Sequence, residues 1–309
     1  MTIQELQQLQ ALPLELKVLK TKQRIIEYVY YFGGADNVYI SFSGGKDSTV
    51  LKHIAEQIFP GIKCVFADTG LEYPEIKEFI SSFKNVETIK PKMSFLEVLK
   101  KYGYPVISKE QSQYIEQYRN AKSEKTKFTR LNGNKNGVGK ISEKWKYLLN
   151  APFKISDRCC FVMKKEPFKR YEKQTGRKPI MGVMAEESSL RQQEYLKNGC
   201  NAFDKKRETC KPLGFWTEQD ILQYIKINNI EVAKCYGELK EEQGLFGGNG
   251  KLYYTGTQRT GCMYCLYGIH LETGLNRMQK MKRTHPQIYD YCINKLKIGE
   301  VLDYIKVKY

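Results

Sequence analysis

The stretch from Val38 to Ser48, Val-Tyr-Ile-Ser-Phe-Ser-Gly-Gly-Lys-Asp-Ser, constrains this chain more than any other. Val38 to Phe42 has the β-branched and aromatic make-up of a buried strand. Ser43-Gly44-Gly45-Lys46-Asp47-Ser48 breaks it, and Thr49 to Ile54 begins a helical pattern. A strand, a glycine turn and a helix N-terminus in succession make an anion site. The glycines permit positive φ and close backbone approach, while unpaired N–H groups and the helix dipole face the anion. Lys46 adds a mobile cation, and the Ser43 and Ser48 hydroxyls add donors. Asp47 directly after Lys46, with no glycine at the upstream spacing, excludes the GxxxxGK[ST] phosphate loop.

The chain around this loop alternates strands and helices. Residues 1 to 32 read as helical and stop at Gly33-Gly34. Ile62 to Ala67 is a second buried strand, ending at Asp68-Thr69-Gly70, and Tyr73 to Phe83 follows as a helix. Val86 to Ile89 is a third strand, with a helix from Ser94 to Lys101. Pro179 to Met184 reads as a further strand, and Thr217-Glu218-Gln219-Asp220 as a capping-box-like start for the helix Ile221 to Ile227. This interval predicts an α/β fold, a parallel twisted sheet with flanking helices, followed by a C-terminal extension of short helices that carries late cysteines. Thr284 is expected to cap one of those helices. The predicted division is an N-terminal helical segment (1–35), a nucleotide-binding domain (36–235) with a basic insertion at 119–140, and a segment (236–309) packed on it.

Ligands of such sheets bind beyond the carboxyl ends of the strands. The candidates for nucleotide contact there are Ser43, Gly44, Gly45, Lys46, Asp47, Ser48, Asp68, Thr69, Gly182 and Glu187. Asp68 is placed to meet a ribose or base, or to cap the next helix. Arg191 either forms an i,i+4 pair with Glu187 or reaches the nucleotide phosphates.

Charge points to a partner. The formal net charge is +17, and residues 119 to 178 hold 18 Lys+Arg against 5 Asp+Glu, leaving only +4 for the rest. Such a block suits a polyanion, nucleic acid first, or is a solvated basic surface. Asn132 to Lys140, rich in glycine, asparagine and lysine, reads as a mobile basic loop. No apolar run reaches membrane-spanning length and the N-terminus does not read as a signal peptide, so a soluble cytoplasmic protein with no membrane partner is expected.

Nine cysteines in a reducing compartment point to metal ligation or thiol chemistry rather than disulfides. Cys262 and Cys265 have the two-residue gap that aims both sulfurs at one centre. Cys159 and Cys160 are adjacent, and neighbouring helical side chains diverge by about 100°. Two such thiolates reach separate corners of a cubane more easily than they share one zinc tetrahedron, which favours [4Fe–4S] over zinc on these four ligands. Cys64 fits an unligated strand residue. Cys200 and Cys210 flank the charged run Asp204 to Arg207 and are left out of the ligand set.

The Ser-Gly-Gly-Lys-Asp-Ser loop resembles the pyrophosphate loop of the adenine-nucleotide α-hydrolase superfamily. With Ser156 to Cys160, Lys164-Lys165 and Pro167, Glu187-Ser188 with Arg191, Lys211-Pro212-Leu213 with Trp216-Thr217, and Cys262/Cys265, the chain from about 36 to 270 resembles the phosphoadenosine phosphosulfate reductase family, near its iron–sulfur DNA-phosphorothioation branch. The resemblance implies an adenylyl nucleotide, ATP above all, on the Ser43 to Ser48 loop beside a [4Fe–4S] cluster. The loop is complete, as in relatives that split ATP into AMP and pyrophosphate, and no late Glu-Cys-Gly-Leu-His motif is present. This implies ATP-dependent sulfur transfer to a nucleic acid (DNA or tRNA), with Lys46, Asp47 and Arg191 as catalytic residues, a bridging Mg2+, and a sulfur donor such as a cysteine desulfurase. The alternatives are reduction of adenylyl or phosphoadenylyl sulfate, with Cys292 as the tail thiol, and a non-catalytic nucleotide- and nucleic-acid-binding role within a larger complex.

Overall fold

The structure, a computed structural model, describes residues 1–203, 205, 207–242 and 250–309. The predicted segment 236–309 and the run Asp204 to Arg207 therefore lie partly outside the described residues. The strands, in chain order, are β1 (Val38–Ser41), β2 (Cys64–Ala67), β3 (Val86–Ile89), β4 (Val106–Ile107), β5 (Lys178–Met181), β6 (Asn201–Ala202), β7 (Thr209–Cys210), β8 (Leu239–Glu241), β9 (Leu252–Tyr254) and β10 (Leu266–Tyr267). The chain forms two compact units. The first comprises Met1–Asp68, Tyr73–Ile89 and Phe168–Thr260, and the second Thr69–Glu72, Lys90–Pro167 and Gly261–Tyr309.

The first unit is built on the sheet β3-β2-β1-β5-β7-β6. Its strands are parallel except β6, which runs against β7. Ile40 in β1 pairs with Cys64 in β2 and Ile180 in β5, so the middle of the sheet is apolar on both sides of β1. After β1 the order builds outward through β2 and β3, then resumes on the other side with β5. The carboxyl end of β1 is thus a topological switch point, where open parallel sheets bind ligands. This is the α/β architecture expected from the alternating pattern.

The N-terminal region is two helices, Ile3–Gln10 and Leu14–Tyr31, because Pro13 cannot continue the first. One face of the second helix carries polar groups into the core. Lys17 Nζ lies 2.6 Å from Asp220 Oδ2 and donates to the Gln10 carbonyl, and its side chain is 2% exposed. Asp220 also accepts from the Thr217 N–H and hydroxyl, capping the helix Glu218–Asn228. One turn on, Thr21 donates to the Pro212 carbonyl and accepts from the indole N–H of fully buried Trp216. The Pro212 to Asp220 segment is therefore pinned by hydrogen bonds as well as by packing.

The second unit has helices Phe95–Tyr102, Lys109–Asn120 and Glu124–Asn132 and the 3-10 turn Glu143–Asn150. Its C-terminal helices are Arg277–Thr284, Pro286–Asp290 and Ile298–Tyr304. β4 and β10 pair in parallel. One local expectation needs correction. Thr284 caps nothing, since its hydroxyl donates to the Lys280 carbonyl, while Asn276 caps the helix before it. Within the basic stretch at 119–140, the helix Glu124–Asn132 precedes the glycine-rich run. That run is a turn closed by Asn134, whose carboxamide accepts from the Asn136 and Val138 amides. Arg130 ties this turn down by donating to the Gly139 carbonyl. The basic block is not one surface, because Arg119 spends its guanidinium on the carbonyls of Leu148, Leu149, Ala151 and Phe153. Among the described residues no helix is long and apolar enough to cross a membrane.

Removing one partner of a buried ion pair strands the other charge. Lys17→Met should lower unfolding free energy by about 3 kcal/mol in urea titrations. Adding Asp220→Asn should recover part of that loss. Equal, additive losses would mean that the two side chains are not coupled.

Candidate nucleotide loop and thiol site

The Ser43 to Ser48 loop leaves β1 at the switch point, and the helix Lys46–Glu56 begins within it. Gly44 has φ +70, and a Cβ there would lie 2.9 Å from Ile76 and Ile80 side-chain carbons, so glycine is required twice over. Ser48 and Thr49 hydroxyls both donate to the Gly45 carbonyl, and Ser43 N–H donates to Ser48 Oγ. These contacts fix the turn through its own side chains. Gly182, just past β5, packs against the backbone of Asp47, where a Cβ would sit 3.0 Å from its carbonyl oxygen.

Lys46 is almost fully buried. Its ammonium donates to the Gln258 carbonyl at 3.0 Å and lies 3.3 Å from Glu218 and 3.8 Å from Asp47. Its backbone N–H donates to the hydroxyl of buried Tyr236, which also bonds Thr260. Glu218, Tyr236, Gln258 and Thr260 were not singled out in the sequence. The capping box at Thr217 could have placed Glu218 at a helix N-terminus, but nothing local marks Tyr236.

Asp47 is the strained charge of this site. Burial pushes its carboxyl up to about 6, Lys46 pulls it back, Glu187 and Glu218 push it further up, and Arg259 opposes them. Its Oδ1 has no hydrogen-bond donor. A buried carboxylate oxygen without a donor fits a place beside a hard cation, so the residues present are compatible with magnesium.

The other candidates fall nearby in sequence but differ in use. Asp68 ends β2 and pairs with Lys77 at 2.7 Å. It does not cap the next helix, which starts at Pro74 behind Tyr73. Arg191 pairs with Glu187, across the Ser188 cap that begins the helix Ser189–Asn198. Glu187 also accepts from the Met184 N–H. Thr69 belongs to the second unit, where its hydroxyl donates to Glu72 at 2.6 Å.

Cys159, Cys160, Cys262 and Cys265 all lie in the second unit. The first two sit on a helical run, Arg158–Cys160, that continues as a π-turn at Phe161–Lys165. The second pair is a tight turn, with Cys265 N–H donating to the Cys262 carbonyl. That turn is held by β10 on β4 and by Met263 N–H on the Leu71 carbonyl. Burial pushes the Cys262 thiol up to about 11, while Lys164 beside it pulls down. Burial lowers the pKa of the Lys164 ammonium, but Cys262, Glu72 and Cys160 raise it by more, and the net direction is up. The four thiols perturb one another electrostatically. Four thiols on two segments of one unit, with the half-buried cation of Lys164 beside them, fit the donor set of an iron–sulfur cluster. Among the described residues no group of His, Cys, Asp or Glu is gathered tightly enough to hold a single metal ion.

The remaining cysteines are packed. Cys64 and Cys292 are fully buried, and burial pushes both thiols up to about 12. Burial likewise raises Cys235 to about 12 and lifts Cys200 and Cys210.

Comparison with known proteins adds the family. The phosphoadenosine phosphosulfate reductase domain matches residues 37–266. An uncharacterized protein of Methanocaldococcus jannaschii is 23% identical over 288 residues, 91% of this chain, and the chain spans about half (53%) of that relative's length. The adenosine 5′-phosphosulfate reductase of Staphylococcus haemolyticus is 25% identical over 222 residues, 68% of this chain and 69% of the reductase. Among solved structures, the U34-tRNA thiolase NcsA of Methanococcus maripaludis, with its [4Fe–4S] cluster, overlaps 93% of this chain and 79% of its own. The overlap has 12% identity and a TM-score of 0.39.

The Asp47 shift has a stability consequence. A carboxyl whose folded pKa exceeds its unfolded value binds more protons when folded, so stability falls as pH rises from about 4 to about 6. Asp47→Asn should therefore raise the melting temperature at pH 7.5 and lose that advantage below pH 4, with a gain of about 3 kcal/mol at most. A variant less stable than the parent at both pH values would show that Asp47 is held as a favourable anion.

Proposed function

We propose that this chain, which belongs to the phosphoadenosine phosphosulfate reductase domain family, splits ATP into AMP and pyrophosphate to activate an acceptor for sulfur transfer. The nucleotide phosphates rest on the Ser43 to Ser48 loop. Lys46 and the loop N–H groups stabilise the charge that develops on pyrophosphate as it leaves, a preorganised electrostatic role. An acceptor oxygen attacks the α-phosphorus, the bond to pyrophosphate breaks, and AMP remains on that oxygen. The outer sulfur of a donor persulfide, such as that of a cysteine desulfurase, is released as sulfide by two thiols that close to a disulfide. This sulfide attacks the activated acceptor atom, and AMP leaves with the oxygen. The acceptor is a nucleic acid, which the basic stretch suits.

Magnesium beside Asp47 would neutralise phosphate charge. A [4Fe–4S] cluster on Cys159, Cys160, Cys262 and Cys265 would supply an iron site for the incoming sulfur. Arg191 is engaged with Glu187 and reaches phosphate only by exchanging that partner.

The observation that carries this reading over sulfonucleotide reduction is the state of the other thiols. Reduction needs a thiolate nucleophile. Outside the four-cysteine set, all five cysteines of this chain have thiols lifted by burial. The similarity to adenosine 5′-phosphosulfate reductase favours the second reading, in which Cys292 serves as nucleophile.

Product analysis separates the two. AMP and pyrophosphate should form from ATP when nucleic acid is present, and Lys46→Ala should abolish this while Cys292→Ser leaves it within about twofold. Thioredoxin-dependent sulfite release from adenylyl sulfate, lost in Cys292→Ser, would establish reduction instead. Anaerobic protein should carry about four irons per chain. Cys160→Ser should lose them and Cys64→Ser should keep them, and stoichiometric zinc without iron would remove the cluster from the scheme.

A further inference from the structure

A cavity of about 710 Å³ lies in the second unit, between the helices Lys109–Asn120 and Glu124–Asn132 and the helical run that starts at Arg158. It has the volume of a small-ligand site, and Cys160 forms part of its wall. Cys160 is only half-buried, whereas its neighbour Cys159 is buried. The lining joins three chemistries. Lys109, Arg158 and Lys165 are cations, and the two lysines make no ion pair among the described residues. Arg158 has only a distant partner, Glu116 at 3.9 Å, and its side chain is more than half exposed. Phe161 turns a 40% exposed ring to the same space, and Gln117 contributes a carboxamide. Asp157 and Glu116 bring negative charge to the wall, which disfavours a bare polyphosphate and leaves the cations to a singly charged phosphodiester.

An aromatic face for a base, a carboxamide for its edge and cations for its phosphate are what an unpaired nucleotide requires. We propose that this cavity binds one unpaired nucleotide of a nucleic-acid strand and presents it to Cys160. The proposal rests on the sulfur-transfer reading only for what happens at Cys160; the binding itself stands on the lining. A strand rather than a free nucleotide is expected because exposed Lys122, Lys125, Lys135 and Lys140 continue the positive surface of the same unit. They would meet flanking phosphates.

The test uses fluorescein-labelled single-stranded oligonucleotides and fluorescence anisotropy over a salt series, with the full chain. Phe161→Ala should weaken binding about tenfold, and Phe161→Trp should restore it. Arg158→Ala with Lys165→Ala should reduce the slope of log affinity against log salt by about 0.7, the counterion released at one phosphate of a single strand. Lys234→Ala, an exposed lysine of the first unit, should bind as the parent does. In the parent protein, ultraviolet cross-links from 5-iodouridine should map to residues 109–165, which decides the matter even where a variant fails to fold. Binding unchanged by these variants, cross-links confined elsewhere, or a mononucleotide bound as tightly as the strand would overturn the proposal. Strand binding without ATP cleavage would sink the sulfur-transfer reading alone. ATP cleavage without strand binding would sink this one alone.

Discussion

Close approach of backbone to backbone at the end of β1 is the constraint on which the first unit depends. Gly44 turns with positive φ directly against Ile76 and Ile80, and Gly182 lies against the backbone of Asp47. A side chain at either position would push apart the elements that meet there: the loop, the helix after β2, and the end of β5. Because the interior is packed as densely as a crystal, that displacement could not be absorbed locally. The loop is thus shaped by the absence of two Cβ atoms, and its hydroxyls only then close the turn.

A second constraint follows from burying charge in that narrow space. Lys46 is nearly inaccessible, and its ammonium is met by a carbonyl, by Glu218 and by Asp47. Two of these partners come from the helix Glu218–Asn228 and the segment before Thr260, far from the loop in sequence. The same helix is pinned through Asp220 to Lys17. The position of the charge opposite Lys46 therefore depends on a buried ion pair two residues further along the same first turn, so the helix Leu14–Tyr31 bears on the loop through a single helix.

Legibility differed by element for physical reasons. Strands β1, β2 and β5 were readable because central parallel strands are apolar on both faces, whereas β3 is a half-exposed edge strand. The helix Phe95–Tyr102 was readable from Ser94 and Glu97, which form the capping box that the sequence offers. The glycine-rich run after Asn132 is a turn, as its composition suggests, but it is fixed by Asn134 and Arg130 contacts that composition does not encode. For Asp68 only the cap alternative fails. It suits a cap, but Pro74 starts the next helix later and frees the carboxylate to pair with Lys77.

The sequence by itself determined the α/β class, the anion loop and the two cysteine pairs, since each is written in a short run whose spacing carries its own geometry. Tertiary structure alone decided which residues face Lys46, that Arg119 serves carbonyls rather than a ligand, and that Cys292 is sealed in the core. It also decided that the loop and the four cysteines belong to different compact units, each assembled from three separated stretches of chain. Short-range spacing fixes local backbone form. Burial and charge pairing are properties of neighbours brought together across scores of residues, and no local pattern records them.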